Sequence, residues 1–150
     1  MFMSGTIAER IEEVRAKFAS FTDPDDKWKY LLDLARAHQG MDASLKDEKF
    51  IIQGCASTMY LVPKFTGEVI HFEMDVEGGT TNPLISRGLG ALALKVYNDL
   101  APSEILSLDP VFFQDIGLNV GLSPTRSNGF ASLVKQIYLY ARVYSAIAKK

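Results

Sequence analysis

The stretch STMYLVPKFTGEVIHFEMDV, residues 57–76, predicts a β-hairpin and with it the fold class. Its second half alternates apolar and polar residues, which is typical of a strand with one buried face. The apolar positions are Ile70, Phe72, Met74 and Val76, and the polar positions between them are His71, Glu73 and Asp75. The first half, STMYLV, is rich in residues that favour strands. Residues 63–67 between the halves are few enough to close an antiparallel hairpin.

Two amphipathic helices are predicted before the hairpin. Thr6 and Glu9 can form a capping box at the start of the first. Its apolar stripe is Ile7, Ile11, Val14, Phe18 and Phe21. The second helix begins at Pro24 after Asp23 as its cap, and Gly40 is expected as its C′ residue. Residues 41–54 show no clear period and predict a connecting loop.

The helix predicted after the hairpin, PLISRGLGALALKVYNDL at 83–100, is apolar nearly all round, which indicates a central buried helix. Gly88 and Gly90 would destabilise it unless another element approaches closely. Two short helices are expected near residues 102–106 and 110–117, and a long closing helix begins between Ser123 and Ser127. The sum is an α+β fold, a single domain over 1–150 with a small antiparallel sheet packed by helices.

Composition and charge exclude several classes of function. Lys plus Arg is 16 and Asp plus Glu is 18, a net charge of −2 that argues against nucleic acid as a partner. No apolar stretch is long enough to span a membrane. The N-terminal residues lack the features of a signal peptide, and a lone cysteine suits a reducing compartment, so a cytoplasmic location is expected.

Neither a metal nor a nucleotide site is indicated. Cys55, His38 and His71 are scattered singly, without the spacing that metal ligands show. The glycines of GLGALA, residues 88–93, imitate part of a dinucleotide fingerprint but follow no predicted strand. Helix packing is the simpler interpretation of these glycines, and no cofactor of the chain's own is expected.

Cys55 is the single cysteine, and it precedes the first strand by two residues. It is either a small hydrophobe in the core or a reactive thiol. Gly54 permits a protruding turn, and Ala56 and Ser57 are too small to obstruct a second macromolecule. A loop that enters a strand is a common position for functional groups. These features favour reactivity, although no cation adjoins Cys55 to lower the pKa of its thiol.

A second candidate is Arg126 in the stretch LSPTRSNG, residues 122–129. It stands among turn formers and capping residues at the entrance of the closing helix. Such an arginine is either an ordinary surface residue or an anchor for an anion or a partner's carboxylate.

These two motifs together resemble the SufE family of sulfur-acceptor proteins in iron–sulfur cluster assembly. The similar segments are KWKYLLDLA, IQGCASTMYL, SRGLGALALKVYNDLAPSEI and LSPTRSNGFASLVKQI. The resemblance implies the SufE/IscU-like α+β fold. It also implies that Cys55 accepts persulfide sulfur from a SufS-type cysteine desulfurase, which uses pyridoxal phosphate. The chain would stimulate that enzyme and pass the sulfur to a SufBCD-type scaffold, rather than act as an enzyme itself.

The resemblance also assigns residues that would contact the desulfurase. They are Gln53, Gly54 and Ser57 around the cysteine, and Arg126. The chain departs from the family pattern at several positions, which affects the docking details but not the thiol chemistry. These positions are Ala35 in place of glycine, Phe50 in place of asparagine, Tyr60 in place of tryptophan, and Thr80, Thr81 and Asn82 in place of an Asp-Ser-Asp stretch.

Two other classes of function stay open on the residues alone. One is a thiol enzyme with Cys55 as the nucleophile and His71 as the base. The other is a non-catalytic interaction module in which Cys55 only packs. In the sulfur-carrier interpretation Cys55 is expected to turn inward in the free protein, with Ile52, Met59 or Leu61 as its shelter.

Overall fold

The structure, a computed structural model, describes residues 5–53, 57–79 and 83–148. Its helices and strands confirm the predicted α+β class. In chain order they are α1 (Ile7–Ala19), α2 (Pro24–Ala37), two 3-10 turns (Ala43–Leu45 and Glu48–Phe50), β1 (Ser57–Phe65), β2 (Ile70–Gly79), α3 (Pro83–Tyr97), α4 (Pro102–Ser107), α5 (Phe112–Asp115) and α6 (Pro124–Ala148).

The predicted hairpin is confirmed as an antiparallel pair of β1 and β2. The four apolar residues of β2 are at most 5% exposed and form its inner face. The prediction that residues 63–67 form the turn is wrong, because β1 continues through Pro63 to Phe65. In the described residues β1 is in a sheet with β2 alone, and its other edge carries only the bridge between Ile51 and Tyr60, so Pro63 can occupy β1 without costing a ladder hydrogen bond. The turn therefore lies between Phe65 and Ile70, where the Thr66 N–H donates to the Val69 carbonyl.

The helix α3 lies at the centre, as predicted, with α1 and α2 packed on it and β2 and α6 also in contact with it. Its two interior glycines are in close contact with neighbouring elements. A Cβ atom on Gly88 would collide with the backbone carbonyl of Leu31 in α2. A Cβ atom on Gly90 would lie 2.5 Å from the Cε atom of Met74 in β2. The contact at Gly88 explains that glycine, because a side chain there would push α3 away from the backbone of α2, whereas a side chain at Gly90 would displace the end of the Met74 side chain.

Both predicted helix starts are confirmed by their caps. Thr6 and Glu9 form a capping box on α1, and Asp23 and Asp26 form one on α2. The end of α2 differs from the prediction. His38 is its C-cap, so Gly40 lies one position beyond C′, where it has a φ of 75° and passes close to the Asp75 carboxylate.

Arg10, a charged residue of α1, is buried. Its Nη1 donates to the carbonyls of Val96 and Asn98 at the C-terminal end of α3. A cation is favourable there because carbonyl oxygens at a helix end carry partial negative charge. Arg10 thereby fixes α1 to the central helix.

Gly88→Ala is expected to destabilise the protein. Helix propensity alone would favour alanine by about 1 kcal/mol, whereas overpacking against a backbone carbonyl costs about 2–3 kcal/mol or more. Chemical denaturation should therefore show a lower free energy of unfolding. Gly78→Ala in β2 is the matched control, since a Cβ atom there meets nothing within 4 Å. A Gly88→Ala protein more stable than wild type would contradict the close approach of α2.

Candidate functional site

The residues on either side of the Cys55 segment are joined by backbone hydrogen bonds. The Ile52 N–H donates to the Met59 carbonyl at 2.8 Å, and Ile51 pairs antiparallel with Tyr60. We call the residues between these partners, 53–58, the site loop. Gly54 and Cys55, two of the predicted site residues, lie outside the described residues, as do Thr80, Thr81 and Asn82. The described ends of the site loop are thus held together by backbone hydrogen bonding.

The two described residues that are closest to Cys55 in sequence differ in how exposed they are to solvent. Gln53 is exposed, as contact with a partner would require. Ser57 is only 3% exposed, and its hydroxyl has no hydrogen-bond partner among the described residues. It stands at a register shift in the ladder, where Ser57 opposes Gly79 and Thr58 opposes Glu77. Bulges of this kind often occur beside functional sites because they redirect the side chains around them. The predicted partner contact of Ser57 stays a prediction, and it would require the start of β1 to open.

Arg126 is brought to the base of the site loop. It lies in the first turn of α6, where its N–H donates to the Ser123 Oγ at 3.2 Å. Its side chain, half-buried, lines a small cavity together with Met59 of β1 and Ser86 of α3. Met59 is also the acceptor of the hydrogen bond that closes the site loop. Residues 59 and 126, far apart in sequence, are therefore neighbours.

A buried carboxylate connects three elements beside the site loop. Asp75 of β2 forms ion pairs with Arg87 of α3 and with Lys46, whose Nζ is 3.3 Å from Oδ2. Its Oδ1 also accepts from the Val76 N–H at 2.8 Å. Burial opposes the charge of Asp75, but the hydrogen bonds and the two cations outweigh burial and lower its pKa. Asp75, one of the polar positions of the alternating strand, is therefore a buried charge with partners in other elements.

His71 lies at the other end of the hairpin. It opposes Lys64, and its Nδ1 is 2.8 Å from the Asp99 carboxylate. Ser57 and Lys64 are seven residues apart on β1, a distance of about 24 Å at the usual rise of a strand. Cys55 precedes Ser57 by two residues, which span at most about 7 Å. The hairpin geometry thus argues against His71 as a base for Cys55.

Two other predicted absences can be compared with the described part of the chain. In it, no group of His, Cys, Asp and Glu side chains is arranged to hold a metal ion. No helix there has the length and apolar character needed to cross a membrane.

Comparison with known proteins defines the class to which this fold and site belong. Residues 12–141 match the family described as "SufE: Fe-S metabolism associated domain". The chain therefore belongs to the SufE family, as its motifs predicted.

Similar chains occur in several bacteria. A SufE-like protein of Rhizobium etli is 32% identical over 137 residues, which is 91% of this chain and 92% of the relative. A SufE-like protein of Synechocystis is 28% identical and covers 89% of this chain and 81% of its own. A solution structure of a hypothetical protein from Thermus thermophilus has a TM-score of 0.73 at 14% identity and covers 91% of this chain and 96% of its own. That structure supports the fold alone.

Asp75→Asn is expected to lower the free energy of unfolding by about 1–3 kcal/mol at pH 7, because Arg87 and Lys46 lose a charged partner. Since the folded protein lowers the pKa of Asp75, its stabilisation is complete above the unfolded pKa of about 4 and is lost as the pH falls through the folded pKa. Denaturation of both proteins from pH 7 to pH 2 should show the difference shrinking in acid.

Asp33→Asn serves as the control for this measurement. Asp33 forms an exposed ion pair with Arg36 within α2, with side chains 78% and 64% exposed. Such a pair contributes less than about 1 kcal/mol. Equal losses in the two variants would mean that Asp75 does not connect the three elements.

Proposed function

We propose that this protein carries sulfur as a persulfide on Cys55, taking it from a pyridoxal-phosphate-dependent cysteine desulfurase and passing it to an iron–sulfur cluster scaffold. Membership of a family associated with iron–sulfur metabolism supports this role. The observation that carries the proposal is the position of Arg126, which shares a cavity with Met59 at the base of the loop that holds the single cysteine.

The chemistry requires one thiolate on this chain. The Cys55 thiolate attacks the outer sulfur of the desulfurase persulfide and forms a new sulfur–sulfur bond. The old bond breaks, and the enzyme's cysteine leaves as a thiolate. The outer sulfur moves to Cys55 together with its proton, so no oxidant or reductant is consumed. A single cysteine is an advantage here, because no second thiol in the chain can release the sulfur.

Arg126 is proposed as the anchor for the desulfurase. A guanidinium group can hold a carboxylate through two parallel hydrogen bonds, which fixes orientation as well as position. Gln53 is exposed at the entrance of the site loop and is proposed as a further contact, together with Gly54. A partner held at these points would be oriented toward Cys55.

A persulfide must be protected from reductants between the two transfers. Ile52, Met59 and Leu61 are each at most 6% exposed, so the base of the site loop is apolar. We propose that Cys55 turns inward against these side chains in the free protein and outward when the desulfurase docks. Slow alkylation of Cys55 in the isolated protein, and faster alkylation with the desulfurase present, would support this movement.

The decisive measurement is the mass of the protein after incubation with a cysteine desulfurase, pyridoxal phosphate and cysteine without reductant. Wild type should gain the mass of one sulfur atom and Cys55→Ser should gain none, because only a thiolate accepts the sulfur. Alanine release by the enzyme should also increase with wild type. A wild-type protein that gains no sulfur from an active desulfurase would contradict the proposal, and turnover of a substrate without any partner would indicate a thiol enzyme instead.

Arg126→Ala is expected to raise the concentration of carrier that half-saturates stimulation of the desulfurase, by about tenfold for the loss of one desolvated charge contact. Arg126→Lys should recover part of the loss, since lysine keeps the charge but not the paired geometry. Arg36→Ala on α2 is the control, because its side chain is 64% exposed. An Arg126→Ala protein that stimulates like wild type would remove Arg126 from the docking surface.

A further inference from the structure

A groove lies between α6 and the segment that precedes it, residues 110–122. Its volume is about 690 Å³, and it is the size of a site that holds a sizeable ligand or part of a partner. Along α6 its lining extends from Ser127 to Arg142. The fifteen steps from Ser127 to Arg142 rise about 22 Å along the helix, so the groove has the length of a helix of about four turns.

The floor of the groove is apolar and its α6 edge is basic. Phe113, Phe130 and Val134 are buried residues of the floor. Lys135 and Arg142 line the edge, both exposed, and neither forms an ion pair within the described residues. Among the residues that the structure describes, none of those lining the groove is acidic. Charge complementarity therefore points to an occupant that has an apolar face flanked by carboxylates.

The two cations also define a spacing. Lys135 and Arg142 are seven residues apart, which places them two turns apart on one side of α6. An α-helix can present two carboxylates at the same spacing, beside apolar residues at i, i+3, i+4 and i+7. A small anion would use one of these cations, whereas a helix along the groove uses both.

The groove continues to the site. Phe130 lines both the groove and the cavity of Arg126 and Met59. Ser127 and Asn128, which follow Arg126 directly, form the nearest part of the groove lining. A protein held at Arg126 would therefore extend onto this surface.

We propose that the groove binds an amphipathic helix of the desulfurase, whose apolar face covers Phe113, Phe130 and Val134 and whose carboxylates pair with Lys135 and Arg142. This inference rests on the proposed function for the identity of the partner. In this proposal the groove contributes affinity for the desulfurase, while Cys55 accepts the sulfur. The two contributions are therefore separable by experiment.

The test compares the full-length carrier with the double variant Lys135→Glu/Arg142→Glu. Binding to the desulfurase is measured by titration calorimetry at low and at physiological salt, and sulfur on Cys55 is measured by intact mass at saturating carrier. The double variant should bind about tenfold more weakly or worse and lose most of the salt dependence of binding. At saturation it should still receive sulfur.

Two further variants and a stability measurement distinguish the effects of charge, groove shape and unfolding on binding. Lys29→Glu/Arg36→Glu changes the net charge equally on α2, where both residues are exposed, and should bind within about twofold of wild type. Ala131→Phe, at an exposed position of the groove lining, adds bulk without charge and should also weaken binding. Each variant's thermal unfolding midpoint shows whether it is folded.

Each outcome is decisive. Weaker binding by both groove variants, with sulfur on the wild type, supports the groove and the proposed function together. Wild-type affinity in the groove variants, with sulfur still transferred, overturns the groove and leaves the function. Weaker binding by the groove variants when even the wild type gains no sulfur supports the groove and overturns the function. No binding by the wild type overturns both.

Discussion

The position of α3 depends on two points of close contact, one on each side of the helix. At Gly88 the backbone of α3 meets the carbonyl of Leu31, and at Gly90 it meets the side chain of Met74. Because α3 is in contact with both α2 and β2, it determines the distance between them. Its first turns also carry Ser86, at the cavity of Arg126, and Arg87, the partner of Asp75. The surroundings of the site loop thus depend on glycines that have no chemical role.

Much of the fold could be predicted because its signals are local. Capping residues, an alternating strand and a helix apolar all round each act within a few residues, and the structure contains all of them. The end of β1 was not predictable in the same way. Pro63 usually ends a strand, and its tolerance here depends on the sheet having only two strands in the described residues, a property of the whole fold.

In the candidate site, too, local features were predictable from the sequence and long-range contacts were not. Arg126 was identified from its turn and capping neighbours, whereas its proximity to Met59 arises only when α6 packs against β1. Asp75 and Arg10 gave no sequence signal, because each is buried by partners distant in the chain. Alternation grouped Asp75 with the polar residues of β2, and its ion pairs with Lys46 and Arg87 arise only in the folded chain. Charges buried by long-range packing are the part of a site that periodicity does not predict.

The hydrogen bond between Ile52 and Met59 has a consequence for how this surface can vary. It joins the two ends of the site loop, and β1 pairs with β2 from Ser57 onward, so the pairing beneath does not depend on the side chains that precede Ser57 in the loop. Residues 53–56 are in this respect free to change around the cysteine. Related chains could acquire new partner preferences by substitutions on either side of Cys55, while the hairpin and the central helix keep the packing that makes the protein fold.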